Sequence, residues 1–481
     1  MMSDFKRQHP IAAVTSLITV IRQNLVTLII LLFISSTQSN GYFWYFLIGG
    51  LSTAFIAGIF SWWVFKYRLQ DDELQINKGV FVKSKLYLSK ERIQVIDITE
   101  GILQRMFGLV QVEIKTAGSG TESATISAIT RKEAEELRRE LRKKSSPEDE
   151  QPAAETEGEA VVHPDEVEVS WKLSKRDLIF AAFTSGNFGL IASILGAISG
   201  QLDQFVTDET IDYIYEIAPG YSNVTVVISL IAAIIIISWA LSFLGVIFRY
   251  SDFRLHKTSK ELIITSGLLE RKHVTIPFNR IQAVRFVEGV FRQPFGYGML
   301  YVESAGFEQN QQEKSIVLVP FLASSKVSGF LEKFLYEFNE PEYHIRPQKN
   351  ALFRYLKKPT YLLFIGAAIT WFFWDYWWIL TLLVPLFSGL GWLRYKDAAL
   401  ALGDDILRMR FRVLARTTAL VKKKRVQNME LKTNPFQRRK SLQSLKTVAA
   451  SGSGGIEFEI SDLNESDCLQ AYQWVGTTSF D

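Results

Sequence analysis

Long apolar blocks alternate with mixed polar segments along the chain, and the apolar blocks form three groups. The first two groups are the pairs Leu17–Ile34 with Tyr42–Phe65 and Leu178–Ser199 with Val224–Phe248, and the third is the stretch Tyr361–Leu393. A bilayer core of about 30 Å needs about 20 apolar residues of helix. The pattern therefore predicts three membrane hairpins, of which the third either spans fully or is partly re-entrant. The predicted hairpins cover residues 11–66, 171–249 and 354–393.

The polar segments show strand periodicity followed by a helix. Short apolar alternation, as in residues 110–114, recurs between turn residues and is typical of β-strands. Thr130-Arg-Lys-Glu133 is a capping box that starts a helix in the first segment. We therefore predict a multi-pass α-helical membrane protein with three helical hairpins that carries three β-rich modules. Each module is expected to be a small antiparallel sandwich or open barrel with a C-terminal helix. The modules are predicted over residues 67–145 (module 1), 250–340 (module 2) and 394–481 (module 3, divergent and basic).

The modules are internal repeats. With an offset of 188 residues, the Arg-Ile-Gln triplet at Arg92 aligns with the triplet at Arg280, and residues 73–118 match 261–306 at 13 of 46 positions. With an offset of 333 residues, an Arg-Val-Gln triplet at Arg425 takes the same place in the third copy. Such self-similarity indicates one structural unit used three times.

The repeated line is specific enough to suggest a family. RIQVIDITEGILQRMFGL, which starts at Arg92, and its second copy PFNRIQAVRFVEGVFRQPFGYG resemble the bacterial pleckstrin-homology-like domain of the second type. Three such modules, each preceded by a membrane hairpin, resemble the YdbT-type bacterial membrane proteins over nearly the whole chain. The third copy fits less well because it lacks the aromatic-Gly pair. The resemblance implies a pleckstrin-homology-like fold but no catalytic residues and no phosphoinositide ligand, since fold does not fix function.

Composition excludes several classes of function. The 481 residues are 48% hydrophobic and 22% charged and include one cysteine, Cys468, which rules out a disulfide framework and a multi-thiolate zinc site. The five His residues do not stand at metal-ligand spacing, and no phosphate-loop or nucleophile motif occurs. We therefore expect a protein that is not an enzyme, with no catalytic residues, no cofactor and no metal.

The formal net charge of +4 conceals one strongly basic region. Residues 392–446 contain 15 Lys and Arg but four acids, and a basic face beside a membrane attracts anionic lipid at about 1 kcal/mol per charge. The alternatives are a merely solvated face, and nucleic acid, which a membrane tether disfavours and which we do not expect as a partner. The candidate contacts for anionic lipid or an acidic partner are Arg408, Arg410, Arg412, Lys422, Lys423, Lys424, Arg438, Arg439 and Lys440.

The repeated arginines Arg92, Arg280 and Arg425 are further candidates. Their guanidinium groups could contact lipid phosphates or a partner carboxylate bidentately. Alternatively they stack on neighbouring strands or pair with Glu100 and Glu288 inside the modules.

Two other segments suggest roles of their own. Pro147–Glu168 has nine acids and no Lys or Arg, so residues 146–168 are predicted to be a disordered acidic linker, either a solvated tether or a mask that folds back on module 3. Ala192, Gly196 and Gly200 recur at every fourth position, which favours close helix packing within the chain or between subunits.

Charge placement predicts orientation and function. Lys and Arg flank the predicted hairpins and are absent between their arms, so the positive-inside rule places both termini and all modules in the cytoplasm. The family resemblance implies that the membrane is the cytoplasmic membrane of a bacterial cell. We expect a non-enzymatic scaffold that binds membrane lipids, preferably anionic ones, together with either a smaller one-module member of the family or a second copy in a homo-oligomer. Cell-envelope maintenance or tolerance of membrane-active antimicrobials is the expected process. A transporter or lipid-handling protein is the alternative.

Overall fold

The structure is a computed structural model that describes most of the chain. The predicted acidic linker, apart from Glu168, and the small-residue stripe of Ala192, Gly196 and Gly200 lie outside the described residues. The described residues are 4–23, 42–70, 73–79, 82–90, 93–116, 123–142, 168–185, 223–304, 315–338, 340–371, 378–449 and 455–476.

Module 1 follows two apolar helices and consists of six strands and a closing helix. Alternation builds the strands: in Glu73–Lys78, Leu74 and Ile76 are buried while their neighbours are half-buried or exposed. The predicted capping box is confirmed, because the Thr130 hydroxyl accepts from the backbone N–H of Glu133, whose carboxylate accepts from the backbone N–H of Thr130. The elements are α1 Ile11–Gln23, α2 Tyr42–Val64, β1 Lys66–Gln70, β2 Glu73–Lys78, β3 Ser84–Ser89, β4 Ile93–Glu100, α3 Ile102–Met106, β5 Leu109–Thr116, β6 Ser123–Thr130 and α4 Arg131–Arg142.

Module 2 repeats this order and has one additional strand, which precedes its apolar helices. Trp171 of that strand packs edge-on against Phe253 and Phe330, at ring-centroid distances of 6.1 and 6.3 Å, and so ties the strand to the module core. The elements are β7 Val169–Lys172, α5 Lys175–Phe183, α6 Asn223–Tyr250, β8 Arg254–Lys257, β9 Glu261–Ser266, β10 Arg271–Pro277, β11 Ile281–Glu288, β12 Tyr297–Ser304, β13 Ile316–Ala323 and α7 Val327–Phe334.

Module 3 has the same strand order and follows four described helices. A short helix after its fourth strand starts at a capping box between Asn434 and Gln437, which satisfies backbone N–H groups at the helix start. The elements are α8 Lys349–Lys357, α9 Tyr361–Thr370, α10 Ile379–Leu382, α11 Val384–Asp397, β14 Ala399–Leu402, β15 Ile406–Arg412, β16 Arg416–Lys422, β17 Val426–Lys432, α12 Pro435–Arg438, β18 Leu442–Ala449, β19 Ile456–Asn464 and α13 Glu465–Gly476.

Two sheets run from one module into the next. In the seven-stranded sheet β6-β5-β4-β10-β9-β8-β7, β4 of module 1 pairs with β10 of module 2, and in the six-stranded sheet β13-β12-β11-β16-β15-β14, β11 of module 2 pairs with β16 of module 3. We call β4, β11 and β17 the docking strands and β3, β10 and β16 the receiving strands. Both junctions are antiparallel and share one register, since Glu100 lies opposite Arg271 and Glu288 opposite Arg416 at equivalent repeat positions.

The hydrophobic cores also cross the second junction. Ile406 and Leu420 of module 3 belong to the core of module 2, while Ala283 of module 2 belongs to the core of module 3. Because each face of the shared sheet serves a different core, β16 is buried on both faces from Thr417 to Val421. Modules 2 and 3 therefore form one packed unit.

A buried ion network reinforces this second junction. Nε and Nη2 of Arg416 donate to the two carboxylate oxygens of Glu288, both at 2.5 Å. Nε of Arg412 donates to Oδ2 of Asp397 at 2.6 Å, and its Nη2 donates to the side-chain oxygen of Gln293 at 2.6 Å. Because Asp397 ends α11, the network joins an apolar helix to two modules.

The first junction uses other side chains. Nη2 of Arg138 in α4 donates to the hydroxyl of Thr275 in β10 at 3.0 Å, so the closing helix of module 1 contacts the receiving strand of module 2. Burial, with a smaller contribution from Arg271, lowers the pKa of the neighbouring His273 to about 4. The imidazole at this junction is therefore neutral at physiological pH.

The prediction of a multi-pass helical protein with three hairpins is wrong. Four sheets dominate the described fold, and within the described residues one helix, Ala232–Tyr250 in α6, is long and apolar enough to cross a membrane; Ile48–Val64 in α2 is a shorter apolar helix. In the predicted third hairpin, α9 has 10 residues and α11 has 14. They span about 15 and 21 Å, less than a bilayer core of about 30 Å. Apolar composition therefore overstated the number of spans, whereas the β-rich modules of the same prediction fit the structure.

Candidate functional site

The apolar helices meet the modules at the turns between the second and third strands. In module 2, the backbone N–H of Leu268 donates to the carbonyl of Phe248 in the last turns of α6 at 2.9 Å. In module 3, Nε and Nη2 of Arg394 in α11 donate to the carbonyl of Val413 at 3.1 and 2.9 Å. These turns therefore lie at the helix-proximal end of their modules.

A buried polar side chain at one repeat position anchors the loop after each docking strand. Nη2 of Arg292 donates to the carbonyl of Ala181 in α5 at 3.0 Å, and burial lowers its pKa. Its equivalents are Gln104, which donates to the carbonyl of Ser127, and Gln437. In module 2 this contact fixes the loop, which carries the 3₁₀ turn Gln293–Phe295, against α5, the first helix of the apolar pair.

Exposed apolar side chains recur on these same turns and loops. Each is at least two-fifths exposed, and their positions are equivalent or adjacent in the repeat alignment. The loop in module 2 lies beside α5, since the rings of Phe180 and Phe295 are 5.7 Å apart. Together these side chains give the helix-proximal ends an apolar surface. They are Val82, Ile102, Met106 and Phe107 in module 1, Leu268, Leu269, Val290, Phe291 and Phe295 in module 2, and Val413, Leu414 and Phe436 in module 3.

A basic, aromatic cleft of about 970 Å³ opens at the helix-proximal end of module 3. It lies between α8, the start of α9 and the α12 loop. Phe353 and Phe436 are exposed aromatic residues of its wall, and Tyr361 begins the apolar helix α9. The remaining lining residues are Arg354, Lys357, Lys358, Lys432, Thr433, Asn434, Gln437, Arg439, Lys440, Ser444, Glu459 and Asp462.

Pairing inside the cleft leaves a surplus of positive charge. Nε of Arg354 donates to Oδ1 of the buried Asp462 at 2.8 Å, and Nε2 of Gln437 donates to the same oxygen at 2.8 Å. This pairing satisfies the one buried acid of the lining. Lys357 lies 4.1 Å from the ring centre of Phe353. Within the described residues no ion pair involves Lys357, Lys358, Arg439 or Lys440, so four cations can face a phosphate-bearing ligand.

The predicted contacts Arg439 and Lys440 line this cleft, and Arg438 lines the adjoining depression with Thr433, Asn434 and Pro435. Nζ of Lys440 reaches the carbonyl of Asn350 in α8 at 3.4 Å. The structure thus brings the second predicted basic cluster to the helix-proximal end.

The three strand arginines share one strand face but have protein partners. Arg408 and Arg410 lie 4.2 and 4.6 Å from the ring centre of Tyr343, and Arg408 pairs with Glu340 at 3.3 Å. Arg412 is buried in the junction network. The role of these three arginines in binding lipid stays a prediction, and their protein partners do not favour it.

The cluster Lys422, Lys423, Lys424 and Arg425 lies along the second junction, away from the cleft. Lys422 pairs with Glu337 of module 2, and Lys423 lies 5.1 Å from the ring centre of Trp474. Nη2 of Arg425 donates to the carbonyl of Asn279 in module 2 at 2.9 Å. Arg425 is thus a junction residue.

The remaining repeated arginines are Arg92 and Arg280. Arg92 lies outside the described residues. Arg280 occupies the 3₁₀ turn Phe278–Arg280 before β11. The expected acidic partners of these arginines are engaged elsewhere, since Glu288 pairs with Arg416 and Glu100 lies 3.5 Å from Arg131.

Sequence reasoning missed half of the cleft. Arg354, Lys357 and Lys358 are visible in the sequence as charges flanking an apolar stretch, but nothing local places them opposite residues 436–440. The sequence did carry one indication of the cleft, because the aromatic residues Phe353, Tyr361 and Phe436 lie close in sequence to its cations.

Metal-ligating clusters and the single thiol were the remaining candidates for chemistry among the described residues. No cluster of three or more His, Cys, Asp or Glu among them could hold a metal ion. Burial raises the pKa of the Cys468 thiol to about 12. This thiol is therefore protonated and inert at physiological pH.

Comparison with known proteins identifies similar chains. The profile of the family described as Bacterial PH domain matches residues 12–145, 200–336 and 355–477. The UPF0699 transmembrane protein YdbT of Bacillus subtilis (strain 168) is 32% identical over 488 aligned residues, covering 98% of both chains. The UPF0699 transmembrane protein YdbS of the same organism is 30% identical over 92 residues, covering 19% of this chain and 56% of YdbS. No solved structure shows significant similarity.

Proposed function

Because the chain belongs to the bacterial PH domain family, we propose that it is a membrane-anchored, non-enzymatic scaffold. Its modules form a continuous array on the bilayer surface, and the cleft of module 3 binds anionic lipid headgroups. The position of the cleft carries this proposal, since its four available cations lie beside the first residue of the apolar helix α9. At that depth a cation attracts anionic lipid with about 1 kcal/mol.

The aromatic residues of the cleft support a headgroup ligand. Phe353, Tyr361 and Phe436 are exposed around the cations, and an amphipathic ring such as that of Tyr361 favours the level of lipid headgroups. The shared sheets between modules support the scaffold role, because they hold the three helix-proximal ends in a fixed relation.

We place the modules on the cytoplasmic face. Lys and Arg flank the apolar segments, whereas the connection 201–221 carries only acids among its charged residues, which is the asymmetry of the positive-inside rule. Protease added to right-side-out cells should leave the modules intact, while protease added to inverted vesicles should cleave them.

The headgroup proposal is tested with the detergent-purified full chain and short-chain lipids. We expect tighter binding of dioctanoyl phosphatidylglycerol than of dioctanoyl phosphatidylcholine. The fourfold variant Lys357→Gln, Lys358→Gln, Arg439→Gln and Lys440→Gln should weaken phosphatidylglycerol binding by at least about 30-fold. Microscale thermophoresis gives both dissociation constants.

A matched variant removes four exposed cations elsewhere. Replacing Lys132, Arg139, Lys260 and Lys326 by Gln changes the net charge equally and should leave binding within about twofold. Equal affinity of the parent chain for both lipids, or an equal loss in the two fourfold variants, would refute a specific cleft.

The apolar surface gives a second prediction. A polarity-sensitive fluorophore on Leu269→Cys should shift to the blue in nanodiscs, because this turn lies beside the end of α6. The same label on Ser259→Cys, in the exposed turn at the other end of β9, should keep its aqueous spectrum. Both positions are compared after Cys468→Ser replacement. Identical spectra at the two positions would show that the apolar surface does not enter the bilayer.

We further propose cell-envelope maintenance, including tolerance of membrane-active antimicrobials, as the process served. Cationic antimicrobials are attracted to the same anionic headgroups that the cleft would hold. Deletion of the gene should then lower the inhibitory concentration of such peptides, and the fourfold cleft variant should fail to restore it.

A further inference from the structure

We propose that β3, the receiving strand of module 1, docks a separate chain that carries one bacterial PH module. The two internal junctions show how a receiving strand is used, because β10 and β16 each pair with the docking strand of the preceding module. In the three-stranded sheet β1-β2-β3, β3 is the outer strand, and no described strand pairs with its outer edge. The proposal concerns a partner protein and is independent of lipid binding.

The charge at one repeat position marks β3 as a receiving strand. Lys83 precedes β3 at the position that Arg271 and Arg416 hold in modules 2 and 3, and it is exposed. In the structure Arg271 lies opposite Glu100 and Arg416 opposite Glu288. A docking strand placed on β3 in this register brings its own last residue opposite Lys83. At the second junction this position carries an ion pair between Arg416 and Glu288, whereas Arg271 at the first junction pairs with Asp252. An acidic residue opposite Lys83 would form the pair of the second junction.

The closing helix of the preceding module, or the segment directly after it, supplies a second contact at each internal junction. Arg138 of α4 donates to Thr275 of β10, and Glu337, which follows α7, pairs with Lys422 of β16. The equivalent positions on β3 are Tyr87 and Ser89. The closing helix of a docked module would therefore lie against Tyr87, which is exposed by 52%.

A second copy of this chain is a poor occupant, because its outer docking strand β17 differs from β4 and β11. Thr433 stands where the other two modules have Glu100 and Glu288. The exposed outward residues Asn428, Glu430 and Lys432 make this edge polar, and Glu430 pairs with Lys432 at 3.2 Å. The occupant is therefore a separate module whose docking strand ends in an acid. The match to YdbS over 92 residues, which covers 56% of YdbS, shows that a shorter relative shares a segment about as long as one module.

The experiment is site-specific photocrosslinking of the full chain in its native membrane. Tyr87 is replaced by p-benzoylphenylalanine, and Tyr472, which is also 52% exposed but lies on α13 of module 3, is the matched control. We expect an adduct at Tyr87 alone, and mass spectrometry should identify its second chain as a protein with one bacterial PH module.

Charge variants test the register. Lys83→Glu should lower the adduct yield about tenfold, because it places like charges opposite each other, whereas Lys83→Arg should retain the yield. The fourfold cleft variant should crosslink normally, so loss of lipid binding and loss of docking are separate results. An adduct between two copies of this chain, no adduct at Tyr87, or an unchanged yield with Lys83→Glu would overturn the proposal.

Discussion

Replacing Arg412 by methionine is expected to lower the free energy of unfolding by about 3 kcal/mol. The Arg412 side chain is 3% exposed and pairs with Asp397, which is 8% exposed, so its removal leaves a buried carboxylate with only Arg416 at 3.6 Å. For a cooperative unit of about 230 residues this corresponds to a fall in Tm of roughly 6 °C. Thermal unfolding of the detergent-purified chain measures it.

Arg439→Met is the matched control, because Arg439 is exposed and in no described ion pair. It should leave Tm within about 1 °C while weakening phosphatidylglycerol binding. The opposite assignment, with unchanged Tm and weakened lipid binding for Arg412→Met, would make Arg412 a lipid contact and contradict the junction network.

Gly391→Ala is the second large effect. A Cβ at Gly391 would overlap the carbonyl oxygen of Tyr355 and lie 2.9 Å from its carbonyl carbon and 3.0 Å from Cα of Leu356. Helices α8 and α11 must then move apart, at a cost of about 3 kcal/mol. Because α8 carries Arg354 and Lys357, both Tm and phosphatidylglycerol affinity should fall. Tm and the phosphatidylglycerol dissociation constant are measured on one preparation.

Gly389→Ala controls for helix propensity in the same helix. A Cβ there meets nothing within 4 Å, so the exchange should be neutral or stabilising by up to about 1 kcal/mol. If Gly391→Ala behaved like Gly389→Ala, the close contact between α8 and α11 would be excluded.

The modules were predictable because their signals are local. Alternation places Leu74 and Ile76 in a strand, and the Thr130–Glu133 capping box starts α4 as expected. The repeat alignment also places Glu100 and Glu288 at one position. The alignment could not predict which strands lie opposite Glu100 and Glu288, because pairing between modules depends on how whole sheets dock.

One overlooked signal for the junction lies in β16. The stretch Thr417-Thr-Ala-Leu-Val421 carries no charge and does not alternate between polar and apolar residues, which is typical of a strand covered on both faces, and all five residues are buried. For the strand arginines, the sequence predicted the shared strand face but not the residue that covers it. Alternation correctly put Arg408 and Arg410 on one face, but the ring of Tyr343, far along the chain, covers that face.

The helices were over-interpreted because apolar composition does not give length. The stretch Tyr361–Leu393 has 33 residues, fewer than the roughly 40 that two full spans need, and α9 ends at Thr370. Helix termination depends on tertiary packing as well as on propensity. Of the cleft, the sequence indicated the basic cluster 438–440, while the contribution of α8 required the fold.

Hydrogen–deuterium exchange in nanodiscs tests most directly whether module 3 holds anionic headgroups at the membrane surface. Exchange is compared between phosphatidylglycerol and phosphatidylcholine discs for the full chain. We predict slower exchange of residues 349–361 and 432–440 with phosphatidylglycerol, and unchanged exchange of β8 and β9, whose far turn points away from α6. Equal exchange of the cleft segments in both lipids would contradict headgroup binding by module 3.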